Sequence, residues 1–254
     1  MAAPTPLALD LALISAALLG FRHGFDHDHV AAITDIASVE KSPRQAMKMG
    51  LLYAAGHAAT VAALGTAVIL LQKSLPAGMD AWMERVVGVT LLALGFYVLW
   101  TAIVPRAGHA HAPRTRIVLL VNAVLWAAWR VRKAFRRAPV ERYGLFRDGI
   151  GKAPAFAVGV IHGLGAETPS QILLFLLAVN LGGMAKGLLG LGTFIVGMIA
   201  MNTLICAVAA GVVKVSAQRP RAFQWMTGLA AAYSIVVGAI FLLGPTAVFA
   251  VVGR

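Results

Sequence analysis

Residues 22–30 read Arg-His-Gly-Phe-Asp-His-Asp-His-Val, which puts His23, His27, His29, Asp26 and Asp28 within one short run of a largely apolar chain. Imidazoles and carboxylates with no thiolate nearby suit borderline divalent ions such as Ni²⁺, Co²⁺ and Zn²⁺. Neutral ring nitrogens bind such an ion directly. Carboxylates bind it too, or hold a ring N–H so that the other nitrogen faces the metal. At mid-bilayer an Asp or Arg stands about 2.5–3.5 kcal/mol uphill, so the run must pair, line water or hold an ion. The structural alternative is an Arg22–Asp26 pair at i,i+4 that neutralises itself.

Other residues extend this chemistry. His57, in Tyr53-Ala-Ala-Gly-His-Ala-Ala-Thr60, offers one more imidazole, and Gly56 beside it lets a neighbouring helix come close. His162 and Glu167 echo the positions of His23 and Asp28: His23-Gly-Phe-x-x-Asp28 is answered by His162-Gly-Leu-x-x-Glu167. They would supply a second half of the site, or a gate. Asn202 and Thr203 are polar lining candidates or helix–helix hydrogen bonders. Asp35 either pairs with Lys41 or lies at an exit. His109-Ala-His111 reads as part of a solvated basic loop. The single Cys206 lies in an apolar run and excludes a disulfide framework.

The elements that must position these groups are membrane helices. Only 13% of the 254 residues are charged and 59% are hydrophobic, with a mean hydropathy of +0.81. Soluble domains carry about 25% charge. The net charge of +12 sits in loops between apolar runs, which marks topology and anionic lipid headgroups rather than nucleic acid. A span needs about 20 apolar residues, and Leu7–Val39, Met47–Leu71, Trp82–Val104, Pro154–Leu181, Gly187–Val215 and Phe223–Val252 qualify. Ile117–Trp129 is short and runs into five basic residues, as an interfacial helix would. With six spans, seventeen Lys and Arg collect on one face and four on the other. The positive-inside rule makes the basic loop 105–153 cytoplasmic and puts both termini outside. The N-terminal apolar run lacks a basic leader segment and is expected to be the first span, not a removable signal.

The expected fold is therefore an all-α integral membrane protein. It has about six transmembrane helices as two inverted three-helix repeats (1–104 and 154–254) joined by the basic linker 105–153. Trp82-Met83 with Gly95 is echoed by Trp225-Met226 with Gly238, which supports the repeat. The first and fourth spans are expected to be discontinuous. Leu7–Val39 as one helix would be about 50 Å long against a hydrocarbon core near 30 Å, so a break is expected around residues 20–29. In the fourth span Thr168, Pro169 and Gln171 form a capping signature, so a helix restarts inside the membrane. Irregular backbone is tolerated there only where it lines a cavity.

The run Arg22–Val30 resembles the signature R-H-A-[FV]-D-A-D-H-I of the nickel/cobalt transporter family of bacterial and fungal permeases, keeping its Arg, its H-x4-D-H frame and both Asp. Gly56-His57-Ala-Ala-Thr60-Val61 is similar to the family's G-H-S-[ST]-V, and Leu164-Gly-Ala-Glu167-Thr168 is a loose counterpart of L-G-F-D-T-A-T-E. Six spans instead of the usual eight, and His27 in place of a small residue, mark a divergent branch. The resemblance implies a secondary permease of the inner membrane for Ni²⁺ or Co²⁺ uptake. The ion is cargo, not a resident cofactor, and His23, Asp28, His29 and His57 lie on its path. Asp26 and His27 are expected to assist. Protons compete for the same groups and are the natural coupling ion. The competing functions are an exporter of the same fold and a histidine-box membrane metalloenzyme. The latter needs roughly eight histidines and a catalytic domain, so no enzyme is expected.

Overall fold

A computed structural model describes residues 6–40, 42–71, 79–103, 150–165, 169–216 and 219–244. Glu167, His109, His111, the expected interfacial helix and most of the linker lie outside these residues. Every described element is a helix: α1 (Pro6–His23), α2 (His27–Ser38), α3 (Pro43–Leu71), α4 (Met79–Ile103), α5 (Lys152–Gly165), α6 (Pro169–Ser216) and α7 (Pro220–Leu243). Among the described residues, four stretches are long and apolar enough to cross a membrane: Pro43–Leu71, Ala81–Thr101, Gly183–Ser216 and Arg221–Leu243.

The apolar run 7–39 does break. α1 stops at His23, and the chain turns through Gly24, Phe25 and Asp26 before α2 begins at His27. The turn is closed by Phe25 N–H donating to Arg22 O and Asp26 N–H to His23 O, each at 2.9 Å. Asp26 takes the extended backbone of an N-cap (φ −62°, ψ 153°), and Asp28 sits in the first turn of α2, where the helix dipole favours a carboxylate. A second interruption separates α5, ending at Gly165, from α6, starting at Pro169. Proline fits a first helical position because its missing N–H would have no partner there. The expected gap between the fourth and fifth spans, residues 182–186, falls inside one helical element. α6 runs on for 48 residues, and its right-handed course is interrupted at Gly183, whose φ of 79° suits a residue without Cβ.

Packing is by close approach over small residues. A Cβ on Gly88 of α4 would meet the carbonyl oxygen of Gly238 of α7 at 2.8 Å, and one on Gly238 would meet that of Gly88 at 2.8 Å. Gly20 of α1 abuts the carbonyl of Phe194 in α6, and Gly197 of α6 abuts that of Ala17. Gly159 of α5 abuts the carbonyl of Tyr53 in α3, and Gly56 of α3 abuts that of Phe156. Without a hydrophobic drive between helices in lipid, such contacts carry much of the association through dispersion. α2 lies inside this frame, against α3, α4, α6 and α7. Its Ile33 and Ile36 join Tyr53, Leu91, Val98, Cys206 and Val213 in the main core. Leu18, Trp82, Val196, Leu229 and Val236 are exposed, as lipid-facing residues would be.

Candidate metal centre

On an unbroken helix His23 and His29 would point about 120° apart. The turn at Gly24–Asp26 removes that constraint, and His23 from the last turn of α1 meets His29 from the first turn of α2. His57, midway along α3, completes the group. One ring nitrogen from each lies within 4.8 Å of the others, and all three residues are buried. Ring centroids stand 4.4 Å apart for His29–His57, 4.8 Å for His23–His29 and 5.6 Å for His23–His57.

The carboxylates of the run stand behind the rings. Asp28 Oδ1 accepts from His29 Nδ1 at 3.1 Å, and Asp26 Oδ2 accepts from His23 Nδ1 at 2.9 Å. A ring that donates through Nδ1 carries its lone pair on Nε2. His29 Nε2 then points at His57 Nε2, 3.3 Å away. Two nitrogens each about 2.0–2.1 Å from one tetrahedral cation stand about 3.3–3.4 Å apart, so the spacing fits either a shared cation or a shared proton. His57 Nδ1 is buried with no hydrogen-bond partner.

The structure therefore brings together His23, His29 and His57, with Asp26 and Asp28 as orienting partners. Asp26 is half exposed and bonds His23, not Arg22, so the self-neutralising i,i+4 pair does not form. His27 is turned away from the three rings. It is exposed, and its Nδ1 lies 3.0 Å from the hydroxyl of Tyr233 in α7.

His162 is fully buried but differently engaged. Thr90 of α4 spends its one hydroxyl proton on Val87 O at 2.7 Å, so its oxygen accepts from His162 Nε2–H at 2.8 Å. His162 Nδ1 is then the acceptor for Tyr53 O–H at 3.1 Å. Both ring nitrogens are thus used. Thr90 and Tyr233 had no part in the sequence reading. The only available signal was a hydroxyl within an apolar span, which is common in membrane helices. Asn202 of α6 is buried, neither atom of its amide makes a hydrogen bond, and its Oδ1 would lie 3.3 Å from a Cβ at Gly24.

The chain is similar to two curated proteins. It is 26% identical over 193 residues to the urease accessory protein UreH of Bacillus sp. (strain TB-90), covering 74% of this chain and 73% of that protein. It is 28% identical over 174 residues to the cobalt transport protein NhlF of Rhodococcus rhodochrous. That match covers 66% of this chain and 49% of NhlF, so the chain spans about half the length of that relative. No family model and no solved structure matches it.

Chemically, three neutral imidazoles from three helices offer a divalent ion intermediate-strength donors. Protons compete for every one of them, so binding releases protons and weakens in acid. Two of the three helices end or begin at the site, so a small relative movement of α1 and α2 changes the donor set.

Proposed function

We propose that this chain is a secondary permease carrying divalent transition-metal ions, nickel or cobalt, inward across the cell's inner membrane. The observation that carries the reading is the convergence of three buried imidazoles at a helix break among long apolar helices. Structural polar knots do not need ring nitrogens from three histidines within 4.8 Å of one another. The likeness to a protein named for cobalt transport supports the cargo class. In this reading His23, His29 and His57 replace the ion's water, Asp26 and Asp28 hold the first two rings, and His27 with Tyr233 stands on the exposed side of the break. The basic segment 105–153 faces the cytoplasm and the termini face outward.

We further propose that the two halves are inverted repeats which rock about the site. The close contacts support this. The α1–α6 set (Gly20 on Phe194, Gly197 on Ala17) reappears in α5–α3 as Gly159 on Tyr53 and Gly56 on Phe156, in matching sequence positions. The α4–α7 contact of Gly88 with Gly238 is matched by Gly95, whose Cβ would meet Ala231 O at 2.9 Å.

The test is time-dependent Ni²⁺ and Co²⁺ entry into proteoliposomes, comparing wild type with His23→Ala and Asp28→Asn. Entry by wild type that folded His23→Ala fails to support, and that folded Asp28→Asn supports only at a much reduced rate, is the expected result. Absence of flux for any divalent ion in either direction would overturn the reading.

A further inference from the structure

The ion site leaves one buried charge unexplained. Asp35 on α2 is fully buried, and among the described residues neither carboxyl oxygen has a close hydrogen-bond partner. Ser234 of α7 faces it, is equally buried, and its hydroxyl has no other hydrogen-bond partner among the described residues. Ser38 does not serve Asp35's carboxyl, because its hydroxyl donates to the Asp35 backbone carbonyl at 2.8 Å. Seven residues separate Asp28 from Asp35, so Asp35 lies on the same face of α2, about 10 Å further along the helix.

An ionised carboxylate in that position would be a bare buried charge, which is strongly unfavourable. The helices around α2 supply no compensating cation. Arg44 and Lys48 of α3, Arg85 of α4, Lys214 of α6 and Arg221 of α7 are exposed, and none pairs with Asp35 among the described residues. The intramembrane titratable groups of the same helices are Tyr53 and His57 on α3, Tyr97 on α4, Cys206 on α6 and Tyr233 on α7. None hydrogen-bonds to the Asp35 carboxyl. A neutral carboxylic acid removes the charge and can share its proton with Ser234.

We propose that Asp35, with Ser234, is the proton-binding station of the transporter, separate from the metal site and linked to it through α2. In the arrangement seen here Asp35 holds a proton. Movement of α2 against α7 brings the carboxyl to water, where the proton exchanges. Ser234 is a positioning residue that holds the acid form. The proposal rests on the permease reading above.

Two flux modes in proteoliposomes separate the roles. Net Ni²⁺ movement is driven by pH gradients of either sign, and exchange of internal for external labelled Ni²⁺ is run at equal pH. For Asp35→Asn the expected result is loss of the gradient response by about tenfold or more, with exchange and Ni²⁺ binding within about threefold of wild type. Asp35→Glu keeps the gradient response. Unchanged gradient response in Asp35→Asn would overturn the proposal, and so would equal loss of both modes in folded protein. Infrared spectroscopy of wild type in bilayers is the second measurement, independent of how the variant folds. A carbonyl stretch of neutral carboxylic acid at neutral pH, shifted in Asp35→Glu, is expected, and absence of any such band overturns the proposal. If wild type moves no metal in either mode, the permease reading has failed. If it moves metal with no response to pH, only this inference has.

Discussion

At the first helix break His23 lies against Phe194, ring centroids 5.6 Å apart; at the second, His162 lies against Tyr53 at 5.5 Å. The two histidines occupy echoing sequence positions, each just before a glycine that presses on a neighbouring helix. Their employment differs. Tyr53 has a hydroxyl, and with Thr90 it uses both nitrogens of His162. Phe194 has none, and His23 bonds instead to Asp26 of its own turn. His57, which completes the first site, stands where the other half carries Met198. A few side chains thus separate a cluster of three buried imidazoles at one break from a hydrogen-bonded brace at the other.

The comparison breaks first if the three rings are not the ligands. His29→Ala removes the ring common to the closest contacts, and Ni²⁺ affinity measured by calorimetry in detergent should fall by more than about 100-fold, beyond what losing an orienting partner costs. His162→Gln, at the braced break, should leave affinity within about threefold, since neither nitrogen there faces an ion. Comparable loss in both would mean that the two breaks form one site.

Asp28→Asn tests the next level down. The amide keeps the shape but offers His29 Nδ1–H a weaker acceptor, and it can flip to present a donor. An affinity loss of about 10–100-fold is expected, the range typical of orienting partners. Flux should fall in proportion. A loss as large as that of His29→Ala would instead make Asp28 a direct ligand.

How much of this could be read from the chain follows from what each feature depends on. The break after His23 was legible because a run of that length cannot cross a bilayer straight, and because glycine and charges were gathered at one spot. The restart at Pro169 was legible from local capping chemistry. A division near Gly183 was legible as the gap between the spans ending at Leu181 and starting at Gly187, but not that helix would continue on both sides of it, since one glycine among many in an apolar run carries no phase information. Within the run 22–30 the sequence offers imidazoles and carboxylates but not which of them converge. On a regular helix His23, Asp26 and His27 would share one face, whereas the turn at Gly24–Asp26 swings His27 toward Tyr233 and brings His29 in. The brace on His162 depends on Tyr53 and Thr90, which are far away in sequence, and only tertiary packing reveals them.

Phe194→Tyr would give the first break the feature that distinguishes the second. A hydroxyl added to that ring reaches toward His23 and competes for its nitrogen, so Ni²⁺ affinity should weaken by about tenfold, in the lower part of the range for altered ligand orientation. Unchanged affinity would show that the Phe/Tyr difference does not decide which break binds metal.

The reverse change, Tyr53→Phe, should have the smallest effect on the ion and the clearest effect on the fold. The ring stays, so its contacts with His29 and His57, at centroid distances of 6.2 and 6.3 Å, are kept. Only the O–H donated to His162 Nδ1 is lost, which leaves a buried acceptor unpaired at a cost of about 1–3 kcal/mol. Thermal unfolding should therefore shift downward while Ni²⁺ affinity stays within about twofold. The freed nitrogen gains no partner rings, because the second break has no counterpart of His57, so one ion per chain should still bind. A second bound ion in Tyr53→Phe would show that His162 is a latent ligand and that the hydroxyl alone had kept the two halves chemically distinct.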